Sequence, residues 1–510
     1  MTLRPPSAAC LLAAVVAAAV AAPGQAPAQT APPAQAAPTP GERLPVQERT
    51  LDNGLRVLVL RRQGAPTVSF VLLYQVGGVD EHLGTTGTTH LLEHLLFKGT
   101  TTVGTRNINA ERALYARQDA AEDTLIRDRA LGDSASVARL SAFITALGDS
   151  AGAYVVPNEY SRILTRAGAE SLNATTTNES TIYYVELPSN RARLWFVLEG
   201  DLMRNAVFRE FYTERNVVTE ERRMRIDTNP AGLLDEAELA AAYTVHPYRQ
   251  PVVGYTSDLE NLTRRDVRDY YRRFYGPNNA VLAVVGDVDP AKVVAWADEY
   301  LGPVPRGEDP PPVLAREPPQ RGERRVVVRW DAQPQLRIGW HVPSVYDPDA
   351  PALEMLTSLL TGGRTSRLYR RLVEGDRLAA SVTSSIGPGD RYPRLFEVAA
   401  TPRAPHTTAE VEAAIYRELA RLAADGPTPS ELERVKNQVA AGSLRRLVSN
   451  LGLAFQLAQS TSLYGDWRET FRFATRLGAV TPADVRRVTA RYFTQENRTV
   501  ATLVREQGGS

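Results

Sequence analysis

The sequence predicts an α+β protein of two homologous domains, each an antiparallel sheet with helices packed on one face. Three observations carry that prediction. First, Leu262-Thr-Arg-Arg-Asp-Val-Arg, Phe274-Tyr and Asn279-Ala-Val-Leu-Ala-Val-Val285 recur as Val480-Thr-Pro-Ala-Asp-Val-Arg, Tyr492-Phe and Asn497-Arg-Thr-Val-Ala-Thr-Leu503, at an offset of 218 residues. A period that long marks a duplicated domain rather than a solenoid repeat. Second, apolar strand-like runs stand at both ends of the first copy with helical stretches between them, the pattern of helices layered on a sheet. Third, residues 306–322, rich in Pro, Gly and charge, read as a linker. The domains are therefore expected at 43–305 and 323–510, as products of internal duplication.

From the N-terminus, Met1-Thr-Leu-Arg4 precedes an apolar run over 8–22 and a Pro/Ala-rich stretch to Pro40. One positive charge, a short apolar run and a small-x-small Ala26-Pro-Ala28 describe a signal peptide over 1–28, and residues 29–42 then form a disordered leader. The apolar run is too short to span a bilayer comfortably, and no later stretch is long and apolar enough, so no stable membrane span is expected. The only cysteine, Cys10, lies in that segment, which excludes a disulfide framework and cysteine catalysis in the mature chain. Export to a bacterial periplasm fits best. A formal net charge of +1 leaves no electrostatic footprint for nucleic acid.

The first domain opens with strands at 47–51 and 55–61 joined by Asp52-Asn53-Gly54, a hairpin signal, and a third strand over 66–77. His90-Leu-Leu-Glu-His94 follows, in a chain with six histidines. On a helix the two imidazoles at i and i+4 stand one above the other and can share a metal, with Glu93 beside them. This His-x-x-Glu-His order reverses the commoner His-Glu-x-x-His. Three fixed positions arise by chance in long chains, but the setting argues otherwise: Leu91, Leu92, Leu95, Leu96 and Phe97 make this a buried helix. A buried carboxylate between imidazoles is costly unless it is paired or near a metal. Zinc with three protein ligands keeps a position for water and lowers its pKa to about 7, leaving a nearby carboxylate to act as base.

Two histidines need a further ligand. In 214–221, Glu214, Val217, Val218 and Glu221 fall at i, i+3, i+4 and i+7, so the valines are expected to mark a buried face with a carboxylate at each end, and Glu220 to be solvated. Spacing alone leaves open whether these are ligands or part of a salt-bridged surface helix.

At this point the sequence resembles the inverzincin (M16) metallopeptidases, which include insulin-degrading enzyme, pitrilysin and the mitochondrial processing peptidases. The matching residues are His90, Glu93 and His94 with Phe97-Lys-Gly-Thr100, Glu214-x6-Glu221, Asn173-Ala-Thr175 with Thr181-x-Tyr183, and His246-Pro-Tyr248 with Gly254. The resemblance implies that His90, His94 and Glu221 bind zinc, that Glu93 is the general base, and that Glu214 supports the site from behind. It also implies that Asn173 and Ala174 start an edge strand that pairs with substrate backbone.

Matching Leu95-Leu96 to Leu359-Leu360 gives an offset of 264, so the first domain carries 46 more residues than the second between this point and the later repeat. They are expected as two helices within about 111–167, either shaping access or contacting a partner, or simply decorating the surface. The same match sets Glu354, Thr357 and Ser358 opposite His90, Glu93 and His94, and Ala440 near Glu221, so the second domain has no metal set. The resemblance further implies an arginine and, seven residues on, a tyrosine from the second domain that contact substrate near zinc. Here Val373 and Ala380 hold those positions, with Arg371 or Arg377 as substitutes. The expected function is a zinc-dependent endopeptidase acting on peptides or unfolded segments, the catalytic subunit of a heterodimer whose homologous partner supplies the arginine and tyrosine. The alternative is a non-catalytic binding or assembly subunit of the same fold.

Overall fold

The computed structural model describes residues 40–505. The signal peptide and most of the leader lie outside the described residues. The last leader positions are ordered rather than disordered: Pro40–Arg43 makes a short turn in which Glu42 accepts from Arg472 Nε at 2.9 Å.

The first half forms a six-stranded sheet from β1 (Gln47–Thr50), β2 (Arg56–Arg61), β3 (Thr67–Tyr74), β4 (Glu170–Thr176), β5 (Thr181–Pro188) and β6 (Ala280–Gly286) in the order β1-β2-β6-β3-β5-β4. The second forms a five-stranded sheet from β7 (Arg324–Trp330), β8 (Gln335–Val342), β9 (Ala379–Gly387), β10 (Arg394–Pro402) and β11 (Arg498–Arg505) in the order β7-β11-β8-β10-β9. Apart from β1 the orders are the same. The repeats run through into side-chain bonds. Thr263 and Thr481 cap their helices in reciprocal boxes with Asp266 and Asp484. Asn279 Nδ2 donates to Phe274 O, and Asn497 Nδ2 to Tyr492 O, each at 2.8 Å. Each pair fixes the helix end against the strand that follows it.

Two expectations about the sheets need correction. The sheets are mixed, because β6 runs parallel to β2 and β11 parallel to β7 while the other pairs are antiparallel. The last strand of each half returns across a helix and slots between strands laid down early, which a crossover permits in the parallel sense. Nor are the helices confined to one face. β6 is buried at every position and β3 at all but its first, so both faces must be covered. The far face of the first sheet (Leu58, Leu60, Val71, Leu73, Val281) packs on Leu453, Ala454 and Leu457 of the helix Asn450–Tyr464, which belongs to the second half. Reciprocally, Leu234 of the first-half helix Pro230–Ala242 packs on Ala501 and Leu503 of the second sheet. Each half covers the other's sheet.

One arginine fastens the second of these contacts. Arg337 on β8 donates from Nε to Glu238 at 2.7 Å and from Nη2 to Glu397 at 2.5 Å and to Asp235. Asp235 and Glu238 come from the first half, Glu397 and Arg337 from the second. Burial, together with the charge of Glu397, holds the Glu238 carboxyl well above the usual carboxylate range. These three carboxylates meet closely enough to resemble a cation site, but the guanidinium already occupies their centre.

The segment 306–322 has neither helix nor strand and yet is pinned. Glu317 accepts from the backbone N–H groups of Thr244, Val245 and His246, and Gln320 Nε2 donates to Arg498 O at 2.7 Å. Among the described residues no helix is long and apolar enough to cross a membrane.

Arg337→Met should leave three carboxylates clustered without their cation, and the loss of one partner from such a set is strongly destabilising, by about 3 kcal/mol or more. A urea denaturation curve whose midpoint falls by about 1 M or more at unchanged slope is the expected result. An unchanged midpoint would show that the cluster does not hold the halves together.

Candidate metal centre

The helix Thr88–Leu96 buries Leu91, Leu92, Leu95 and Leu96 against the first core and turns its histidines the other way. Its first turn is held by Glu81, whose carboxylate accepts from Gly87 N at 2.8 Å and from Thr89 N at 2.6 Å, a favourable place for negative charge. Burial pushes the Glu81 carboxyl up to about 7. Gly87 has φ +85°, and a Cβ there would stand 2.7 Å from Val253 O. Gly254, at φ +86°, abuts it with equally little room, so the loop that follows His246-Pro-Tyr248 locks against the start of the metal helix.

The expected ligands converge. Glu221 Oε2 lies 3.7 Å from His90 Nε2 and 3.5 Å from His94 Nε2. These separations are too long for good hydrogen bonds, but two ligands about 2.1 Å from one ion at a tetrahedral angle stand roughly 3.4 Å apart. The donor set of two imidazoles and a carboxylate is one that zinc takes. Burial, and then the neighbouring His94, push the His90 imidazole down to about 3, so it is a neutral ligand rather than the cation of an ion pair. Its Nδ1 is buried without a hydrogen-bond partner. His94 behaves differently. Burial opposes its charged form, but Glu214, Glu221 and Glu93 outweigh that and raise its pKa.

Glu214 lies on the other side of the His94 ring from Glu221, with Oε2 3.3 Å from His94 Nδ1. That contact fixes the ring and leaves Nε2 facing Glu221. Glu93 Oε2 accepts from Thr176 Oγ1 at 2.6 Å, which leaves Oε1 free, and burial raises the Glu93 pKa against the pull of that bond. β4, with Thr176 as its last residue, is the edge of the sheet. It begins at Glu170 rather than at Asn173. An irregularity intervenes, with Ser171 at φ +53°, and regular pairing to β5 resumes at Asn173 and Ala174.

Reading the spacing of 214–221 as a buried stripe was half wrong. Val218 is buried, but Val217 is 45% exposed, while Glu220 is solvated as expected. The helix Phe211–Arg222 buries Phe211, Arg215, Val218 and Arg222, so its core face is turned away from Val217. In the second half, Val373 lies in the turn Tyr369–Gly375 and Ala380 on β9, with Arg371 Nε held by Asp376 at 2.8 Å. Arg377 is exposed in the left-handed region, at φ +55°. The helix Ala350–Thr361 takes the place of the metal helix, and there Glu354 pairs with Arg394 at 3.0 Å.

Several site residues escaped sequence reasoning. Lys98 bridges Glu210 at 2.9 Å and Glu214 at 2.6 Å, and Arg225 Nη2 holds Glu221 Oε1 at 2.5 Å. Both have a signal in the sequence: Lys98 stands four residues after His94, and Arg225 four after Glu221. Thr176 stands two residues after Ala174, hence on the same face of its strand. Tyr183, opposite Ala174 on β5, buries a hydroxyl without a partner within electrostatic reach of Glu93.

With this geometry established, comparison with known proteins places it. Residues 56–121 and 151–256 match the family profile described as insulinase (peptidase family M16), and residues 261–439 the one described as peptidase M16 inactive domain. A protein named zinc protease PqqE, from Helicobacter pylori, is 28% identical over 414 residues, 79% of this chain and 81% of its own. The crystal structure of a protease from Helicobacter pylori superposes with a TM-score of 0.76 at 25% identity, covering 90% of this chain and 99% of that one. The periplasmic protease PqqL from Escherichia coli shares the fold, with a TM-score of 0.67 at 18% identity over 90% of this chain and 47% of its own.

Glu214→Gln should free the His94 ring and raise the zinc dissociation constant by 10- to 100-fold, the usual range for losing such a partner. Competition with a coloured chelator measures it. Unchanged affinity would assign Glu214 to the Lys98 ion pair alone.

Proposed function

The chain belongs to the M16 peptidase family, and from that premise we propose that it is a zinc-dependent endopeptidase acting on extended peptides or unfolded protein segments. The observation that supports this most strongly is the convergence of His90 Nε2, His94 Nε2 and Glu221 Oε2 with Glu93 fixed alongside. Zinc held by these three side chains would polarise a scissile carbonyl and acidify a bound water.

The chain's own residues do the rest. β4 is the edge strand of its sheet, and an extended substrate would add to it around Asn173 and Ala174, displacing the Asn173 Oδ1 that now accepts from Ala174 N at 2.9 Å. Glu93 takes a proton from the attacking water at its free Oε1 and returns it to the leaving amine. Thr176 keeps that carboxylate in one orientation, and Glu214 and Lys98 keep His94 in one. We place the protein in the periplasm, on the N-terminal signal-peptide pattern.

The second half supplies neither an arginine nor a tyrosine at Val373 and Ala380, and Arg371 is engaged by Asp376. This supports a heterodimer in which a homologous chain lends both donors. PqqL, roughly twice as long over the same fold, is in keeping with a working unit of two such chains.

Glu93→Gln should retain zinc and lose hydrolysis of a quenched peptide by at least about 100-fold, within the range of general-base catalysis. Glu221→Gln should lose zinc first, because it removes the anionic ligand. Near-wild-type turnover of Glu93→Gln would overturn its role as base. The purified chain should also be slow alone and gain about 100-fold or more when mixed with a homologue lacking His-x-x-Glu-His, since one missing oxyanion donor is worth roughly 10²–10³ in rate. Full activity of the isolated chain, with its size fixed by light scattering, would remove the heterodimer and leave the zinc site standing.

A further inference from the structure

The helical hairpin Ile108–Ala130 and Ser134–Gly152 includes residues 122–150, which the family profile passes over. It does not lie flat on the surface. Between it and the helix Phe211–Arg222 runs a groove of about 960 Å³. Ile144, Thr145 and Gly148 form one wall and Val217 and Met224 the other, and the groove reaches Glu221 and Arg225 at the metal centre. Val217 is 45% and Met224 61% exposed, so apolar side chains stand open to water on a helix whose core face lies elsewhere.

We propose that this groove is a substrate subsite that receives an apolar stretch of the same polypeptide that is cleaved at the metal. The occupant follows from continuity. Glu221, whose carboxylate faces His90 and His94, and Arg225, which holds it, line one end of the groove, so a chain lying there ends one side chain away from the candidate metal site, whose histidines are not themselves part of the lining. Its length follows from helix geometry. From Thr213 to Arg225 the ligand helix rises about 18 Å, which five or six extended residues at about 3.3 Å each would span. The inserted hairpin is thus a wall that selects for length and apolar character, in a place where the family profile has no counterpart.

The proposal rests on the peptidase reading, and its test separates the two. Quenched peptides sharing one core sequence, with zero, three or six apolar residues added on either side, should show kcat/KM rising about tenfold with extension on one side and levelling off near six. Val217→Asp on one wall and Thr145→Trp on the other, both at exposed positions, should each abolish that advantage through KM. In a Glu93→Gln background, fluorescence anisotropy should show the six-residue extension binding about tenfold more tightly than the bare core, and either groove variant should erase the difference. If both variants keep the full length advantage in hydrolysis and in binding, the subsite is wrong, whatever the rate. Absence of hydrolysis for every peptide would instead sink the peptidase reading, while the binding arm would still decide the groove.

Discussion

Neither sheet can be buried by its own half. β3 and β6 are apolar on both faces, and only one of those faces is covered by helices of the first half. The other needs Leu453, Ala454 and Leu457 from far along the chain, just as Ala501 and Leu503 need Leu234. Each fully buried Leu or Val side chain contributes about 1.5–3 kcal/mol, so a half alone would expose several such contributions to water. The exchange therefore makes the duplication obligatory rather than ornamental. The second copy persists because it closes the first, whether or not it keeps a metal.

That division of labour explains what the second copy has lost. Its counterpart of the metal helix buries Leu353, Leu356, Leu359 and Leu360 much as the first buries its leucines. At the ligand positions, Glu354 has been recruited by Arg394, and the Thr357 hydroxyl donates to the carbonyl of Glu354. Packing was retained while the polar face drifted into ordinary ion pairing. In the first copy the polar face could not drift so freely, since Glu221 faces both His90 and His94 across less than 4 Å.

Much of this was legible in the sequence because it is local. Helical spacing sets His90 and His94 one turn apart, with ring centroids 5.0 Å from each other. Capping pairs such as Thr263 with Asp266, and the Asp52-Asn53-Gly54 turn, are complete within a few residues. What was not legible depends on register between distant segments. The parallel pairing of β6 with β2 is decided by where a strand returns after more than two hundred residues. The exposure of Val217 is decided by which face of its helix meets the core, the one carrying Phe211, Arg215, Val218 and Arg222, and that depends on segments distant in the chain. Thr176 reaches Glu93 only because the edge strand passes beside the metal helix.

Charge balance at the centre has a consequence of its own. Around His94 lie three carboxylates, Glu93, Glu214 and Glu221, against two cations, Lys98 and Arg225. Burial opposes the charged form of His94, but the three carboxylates together outweigh it and hold that imidazole above its ordinary pKa. A divalent ion held by His94 Nε2 would need that nitrogen unprotonated. His90, pushed down to about 3 chiefly by burial, is neutral throughout the physiological range. Lys98 ties Glu214 to Glu210, and burial, which raises the Glu214 pKa, is outweighed by His94 and Lys98, which hold it below the usual range. The pair behind the histidine thus holds the ring so that its Nε2 faces Glu221.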